Sequence, residues 1–202
     1  KEKVINTGAD IGFCFDGDGD RVVVIDSSGE IVSPDFLTAI IGLYYLKYHP
    51  EEINGNKKIL VDIRSSNSIG EYLTDLGADV EACPVGHAKI KKLLREKDAL
   101  FAGELTGHYY YRENYYSDSA WISIFRVLSV LSEGNKTLQE LKKDIFKYHF
   151  SGELNFKIDN ADIVIKNLLE KYSDAEINNL DGYRFDFTDW WFIIRKSGTE
   201  PL

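Results

Sequence analysis

The 202 residues carry 33 acidic against 24 basic side chains, a formal charge of −9, and 44% of them are hydrophobic. That length and apolar share suffice for one large domain or two small ones around a packed core, and the acidic balance excludes nucleic acid as a default partner. Two cysteines, Cys14 and Cys83, make no disulfide framework, and no apolar run reaches transmembrane length, so the expected location is cytoplasmic, with no membrane partner.

In chain order, residues 11–15 and 22–26 read as two strands of β-branched and aromatic residues around a short acidic loop. A turn at Ser27–Glu30 and a brief strand at Ile31–Val32 follow. Ser33 and Pro34 then open a helix as N-cap and first position, and Phe36, Ile40, Leu43 and Leu46 keep helical spacing to about Tyr48. Strands and helices alternate from there: a strand at 59–61, a helix at 68–76 stopped by Gly77, a strand at 80–83, a basic helix at 87–97, and strands at 99–102 and 109–111. Helices at 118–131 and 138–148 close this part. After Phe150 the pattern becomes a strand at 153–158, a helix at 161–172, and strands at 183–187 and 191–195. The expected fold class is α/β: a mixed, mostly parallel sheet with helices on both faces, plus the start of a smaller α+β C-terminal domain.

The acidic loop Phe15-Asp16-Gly17-Asp18-Gly19-Asp20-Arg21 is the strongest chemical signal. Three carboxylates at alternate positions repel one another unless a cation sits among them. An all-oxygen set suits a hard ion such as Mg²⁺, Mn²⁺ or Ca²⁺. A calcium loop of the helix-loop-helix type needs glycine at its sixth position and glutamate at its twelfth, where Arg21 and Ser27 stand. A plain acidic hairpin turn is the bland alternative, but it does not require three aspartates. A catalytic metal loop between two strands is the reading favoured.

Four further segments lie at strand-to-helix junctions or after strands. Asp62-Ile63-Arg64-Ser65-Ser66 places Arg64 where α/β sheets collect ligands, as a phosphate clamp or as a solvated loop arginine. Val85-Gly86-His87-Ala88-Lys89 offers His87 as a proton carrier or a helix-capping histidine. Gly103-Glu104-Leu105-Thr106-Gly107-His108 suits vicinal sugar hydroxyls, or is a decorated hairpin turn, and Tyr109–Tyr111 reads as a half-buried strand rather than a sugar-stacking face. Arg195-Lys196-Ser197-Gly198-Thr199-Glu200-Pro201 has the composition of a phosphate cradle without Walker A spacing.

Taken in this order, the segments resemble the α-D-phosphohexomutase family, in its phosphomannomutase/phosphoglucomutase branch. The family's Asp-Gly-Asp-Gly-Asp-Arg loop is matched at 16–21. Its Gly-Glu-x-Ser-Gly-His loop is matched at 103–108 with Thr106 for serine. Its Gly-His-x-x-x-Lys segment is similar to Gly86-His87 with Lys91, and its terminal Arg-x-Ser-(Asn/Gly)-Thr-Glu-Pro loop is matched at 195–201.

The resemblance implies an enzyme of four domains, of which residues 1–32 would finish the metal-binding second, 33–150 form the sugar-binding third, and 151–202 begin the phosphate-binding fourth. The chain begins at Lys1, contains no methionine, and has no segment like the family's serine motif. It is therefore read as a piece of the enzyme, with the N-terminal domains of the same protein as its missing partners. The implied reaction interconverts hexose 1-phosphate and hexose 6-phosphate, of mannose and/or glucose, through a phosphoserine and a hexose 1,6-bisphosphate that serves as intermediate and activator. In that reaction Asp16, Asp18 and Asp20 would hold one Mg²⁺, and Arg21 would steady the phosphoryl group. Arg64 and His87 would assist proton transfer or orient the attacking hydroxyl. Glu104, Thr106 and His108 would hold the sugar, and Arg195, Ser197, Gly198 and Thr199 would grip the phosphate that is not reacting. Leu105, where the glucosamine branch has glutamine, leans toward glucose and mannose phosphates. The rivals are a phosphatase with Asp16 as nucleophile, which leaves the sugar loop and the terminal loop unexplained, and a non-catalytic sugar-phosphate or metal-binding module.

Overall fold

The computed structural model describes residues 1–196 and divides into two compact units, Lys1–His149 and Phe150–Leu202. The first unit starts with a short helix, α1 (Glu2–Thr7), and a three-stranded antiparallel sheet of β1 (Ile11–Phe15), β2 (Val22–Asp26) and β3 (Ile31–Val32) in the order β1-β2-β3. Phe15 pairs with Val22, so residues 16–21 form the hairpin connection itself. The next turn is closed by Asp26, whose Oδ1 accepts from the backbone N–H groups of Ser28 and Glu30 at 3.0 Å each.

Helix α2 (Pro34–Leu43) follows, with Ser33 as N-cap residue and proline at its first position. The Ser33 side chain makes no cap bond to the helix backbone and donates instead to the Asp35 carboxylate. The helical run continues to Tyr48 as a single wider turn, Tyr44–Tyr48. Every residue of α2 after Pro34 is buried, as expected of a helix that is apolar nearly all round.

A five-stranded sheet forms the body of this unit. It contains β4 (Lys58–Asp62), β5 (Asp79–Cys83), β6 (Phe101–Gly103), β7 (Tyr109–Tyr111) and β8 (Ser117–Asp118), in the order β5-β4-β6-β7-β8. β4 pairs parallel with β5 and β6, whereas the β6–β7 and β7–β8 pairings are antiparallel. The helices are α3 (Asn67–Asp75), α4 (His87–Glu96), α5 (Ala120–Gly134) and α6 (Leu138–Ile145). Alternation along the strands sorts the core into two layers. Ile59, Val61, Phe101, Tyr109 and Tyr111 join the cluster made with α2, α3, α5 and α6. Leu60, Ala102, Tyr110 and Cys83 pack with Ile90 and Leu94 of α4 on the other face. The result is an α/β sheet with helices on both faces.

Helix α5 begins at Ala120 rather than 118, because Ser117 and Asp118 pair with Tyr111 and Tyr110 as an edge strand. The Ser119 hydroxyl then caps α5 by accepting from Ile122 N–H.

The second unit has α7 (Ala161–Lys171) and an antiparallel sheet, β11-β10-β9, of β9 (Glu176–Asn178), β10 (Tyr183–Asp186) and β11 (Trp191–Ile194). Its core is aromatic: Phe185 stacks on Phe192 at 4.6 Å, and Tyr172 meets Phe192 edge-on at 5.3 Å. The strand expected at 153–158 does not form. Leu154 and Phe156 are exposed and find no ladder partner among the described residues, and alternation without pairing does not hold a strand.

Candidate active site

The loop between β1 and β2 brings carboxylate oxygens of Asp16, Asp18 and Asp20 within 4.8 Å of one another. Asp16 organises the turn. Its Oδ1 accepts from the N–H groups of Gly19 (3.1 Å) and Arg21 (3.3 Å), and its Oδ2 accepts from Arg21 Nε at 2.5 Å. Desolvation pushes the Asp16 carboxyl up, but the hydrogen bonds from Arg21 and the charge beside it together outweigh that and hold its pKa at about 2. Gly19 takes φ +77°, which lets the chain curl back on Asp16. Asp20 differs from Asp16: its Oδ1 is buried and finds no hydrogen-bond partner among the described residues. That oxygen, in an all-carboxylate set, fits a hard divalent cation.

The sugar loop, 103–108, meets this loop directly. Val22 N–H donates to the Gly107 carbonyl at 3.2 Å. Gly107 has φ +92°, and a Cβ there would stand 3.1 Å from the Val22 carbonyl, so glycine is needed for both conformation and contact. His108 bridges the two loops. Its Nε2 lies 3.5 Å from Asp20 Oδ1, and its Nδ1 lies 3.2 Å from Glu104 Oε2 and 2.9 Å from the Thr106 hydroxyl. The hydrogen bond with Glu104 raises the His108 pKa above its ordinary value, against the opposing effect of burial.

Glu104 is only 3% exposed. Its Oε1 accepts from Gly86 N–H at 3.2 Å, and its Oε2 accepts from the Tyr110 hydroxyl at 2.9 Å. Burial raises its carboxyl, but the bonds from His108, Tyr110, Thr106 and Gly86 outweigh it and bring the pKa to about 2. Glu104 therefore ties the sugar loop to the segment carrying His87. His87 itself is the first residue of α4, exposed, directly after Gly86 with φ +109°.

Arg64 lies beyond the end of β4 and turns its guanidinium inward. Nε and Nη2 bind Asp62 Oδ1 and Oδ2 at 3.0 and 2.6 Å, so the edge that could clamp a phosphate is engaged with Asp62. Lys91 pairs with Asp118 at 2.7 Å. Asp118 also offers an oxygen within 4.8 Å of ligand atoms of Asp20 and His108. Asp118 and Tyr110 are site residues the sequence reading missed: one looked like the start of a helix, the other like plain strand. In the second unit Arg195 pairs with Asp181 at 3.0 Å. Ser197, Gly198 and Thr199 lie outside the described residues.

With that geometry in hand, comparison with known proteins is decisive. The family model for phosphoglucomutase/phosphomannomutase, alpha/beta/alpha domain III, matches residues 33–149. The chain belongs to the α-D-phosphohexomutase family. Among curated phosphohexomutase relatives, a phosphomannomutase of Methanocaldococcus jannaschii is 38% identical over 98% of this chain and 43% of its own length. The chain thus spans less than half the length of the relatives it matches. A solved phosphoglucomutase/phosphomannomutase family protein of Burkholderia thailandensis superposes with TM-score 0.83 at 27% identity, covering 99% of this chain and 42% of that one. A solved N-acetylphosphoglucosamine mutase of Aspergillus fumigatus, in complex with GlcNAc-6P and magnesium, shares the fold at 12% identity with TM-score 0.58, covering 93% of this chain and 46% of that one. No described helix is long and apolar enough to cross a membrane.

Proposed function

We propose that the protein of which this chain forms part is a cytoplasmic phosphohexomutase that interconverts the 1- and 6-phosphates of mannose and/or glucose through a bisphosphorylated sugar. The observation that carries the reading is the meeting of metal loop and sugar loop, where the buried Asp20 Oδ1, which makes no hydrogen bond among the described residues, lies 3.5 Å from His108 Nε2. In this reading residues 1–32, 33–150 and 151–202 are parts of the second, third and fourth domains. The phosphoserine belongs to the domains outside this chain.

Asp16, Asp18 and Asp20 would hold Mg²⁺, which when bound neutralises charge developing on the transferring phosphoryl group. Arg21, fixed by Asp16, presents a cation beside that charge. His108, with a raised pKa, is positioned to hold a proton between the sugar loop and the metal loop. Thr106 offers its hydroxyl to the sugar, and Glu104 sets the loop that carries both. His87 and Arg64 lie at the carboxyl ends of the parallel strands and orient the attacking hydroxyl. Arg195, Ser197, Gly198 and Thr199 would grip the second phosphate.

The aspartate-phosphatase alternative makes Asp16 a nucleophile and needs only the metal loop. It also leaves the sugar loop, which meets the metal loop through Val22 N–H and the Gly107 carbonyl, without a role, which favours the mutase reading.

Turnover by the full-length protein tests the proposal through Glu104→Gln. A neutral amide cannot accept every donor aimed at the carboxylate, which include Gly86 N–H and the Tyr110 hydroxyl. The expected result is a fall of about 10²-fold in kcat/KM with both glucose 1-phosphate and mannose 1-phosphate, as for a site displaced by about an ångström. Unchanged kcat/KM with both sugars would remove Glu104 from the site.

A further inference from the structure

We infer that Asp62 is a positioning residue that fixes both Arg64 and the sugar loop for catalysis; the inference rests on the mutase reading. Asp62 ends β4, between Cys83 of β5 and the β6 strand that leads into the sugar loop. Its side chain is 0% exposed. A carboxylate has about four acceptor positions, and four donors converge on this one. Oδ1 takes Arg64 N–H at 2.9 Å and Arg64 Nε at 3.0 Å. Oδ2 takes Arg64 Nη2 at 2.6 Å and Leu105 N–H at 3.1 Å. Two of the four bonds form the planar fork that arginine alone supplies. One comes from the backbone of the sugar loop, 43 positions along the chain.

The geometry has a specific consequence. Arg64 sits two residues past the strand, in a loop whose own backbone would leave a long side chain many rotamers. The grip of Asp62 selects one of them. The Leu105 bond fixes the peptide that joins Glu104 to Leu105, and with it the loop that carries Thr106 and His108. Asp62 touches neither sugar nor phosphate in this reading; it acts through Arg64 and Leu105. Asparagine at this position keeps the volume and one acceptor oxygen, but places an NH₂ group against Arg64 Nη2 or the Leu105 amide, where donor would face donor.

The test uses the full-length enzyme, with Asp62→Asn and Arg64→Ala made singly and together. Asp62→Asn is expected to lower kcat/KM about 10²-fold, the loss associated with misplacing a positioned group. On the Arg64→Ala background the same change is expected to cost clearly less, about 10-fold at most, because one of the two groups it positions is gone and only the Leu105 bond is left to lose. Equal losses on both backgrounds would show a general structural role and overturn the inference, as would kcat/KM for Asp62→Asn within about 2-fold of wild type.

If Asp62→Asn does not fold, Arg64→Lys decides. It keeps the charge but not the fork, so it is expected to reproduce most of the loss, and wild-type kcat/KM would overturn the inference. A readout independent of turnover separates this from failure of the mutase reading. With ¹⁵N-arginine labelling, Arg64 Nε–H should give a slowly exchanging resonance in the wild type. Asp62→Asn should abolish that resonance and shift the Leu105 amide; Arg64→Lys, which has no such group, is read by the Leu105 amide shift alone. An inert wild type that still shows this signature refutes the mutase reading and leaves the fastening intact. A rapidly exchanging Arg64 Nε–H in the wild type overturns the fastening itself.

Discussion

Asp20→Asn is expected to lower turnover of the full-length enzyme by about 10²–10³-fold, the loss seen when one preorganised electrostatic group is removed from a charge-stabilising site. The physical basis is the buried Asp20 Oδ1, which makes no hydrogen bond among the described residues, has His108 Nε2 3.5 Å away, and lies in a cluster with Asp16 and Asp18. A cation supplies what that oxygen lacks. Stability should respond in opposite directions in two conditions. With chelator present, Asp20→Asn removes one of three mutually repelling charges, so it should be neutral or stabilising. With Mg²⁺ at about a hundredfold excess over its dissociation constant, the wild type should gain about 2.7 kcal/mol, and the variant should lose most of that gain. Thermal melts with and without Mg²⁺, beside initial rates, read both effects. Near-normal turnover at saturating Mg²⁺, or an undiminished Mg²⁺ stabilisation, would remove Asp20 from the metal set.

The second large effect is steric. A Cβ on Gly103 would lie 2.0 Å from Thr38 Oγ1, 2.7 Å from its Cγ2 and 2.8 Å from its Cβ. Gly103 ends β6 and Thr38 lies on buried α2, so neither neighbour can swing into solvent. Gly103→Ala is expected to cost about 3 kcal/mol, the upper end of the usual range for overpacking, read from the midpoint of denaturant unfolding. The sugar loop starts at this residue, so kcat/KM should fall in the fraction that stays folded. Adding Thr38→Ala should recover part of the stability, because the γ atoms are gone while Thr38 Cβ remains too close. Adding Thr38→Gly should relieve the clash fully, at about 1 kcal/mol for glycine within a helix. No recovery in either double variant would show that the α2–β6 contact does not require glycine at this position.

Much of the fold was legible because the signals were local. Val22–Asp26 and Lys58–Asp62 are runs of β-branched and aliphatic residues, and Gly77 at φ +91° follows α3 as a helix stop. Three positions were not legible, for different reasons. The stretch 153–158 alternates like a strand, yet alternation only makes a strand where a neighbour supplies the ladder. β9 was missed because Glu176 and Asn178 are poor strand formers and owe their conformation to pairing with Asp186 and Arg184. Asp62 stands at the end of a strand with no local sign of a role, because that role depends on Leu105, 43 positions along the chain. The candidate site divides in the same way. Asp16, Asp18, Asp20 and Glu104 stood out because several polar groups fall within a few positions. The links between loops, His108 to Asp20 and Glu104 to Gly86, exist only in three dimensions.

An enzyme that moves a phosphoryl group between two positions of one sugar changes the position of the phosphate and not its amount. The most direct measurement is a ³¹P NMR time course on the full-length protein with mannose 1-phosphate, Mg²⁺ and a trace of glucose 1,6-bisphosphate, repeated with glucose 1-phosphate. A phosphohexomutase should give a growing hexose 6-phosphate signal, with total sugar phosphate conserved and no inorganic phosphate. Steady release of inorganic phosphate, or no change with either sugar, would contradict that activity.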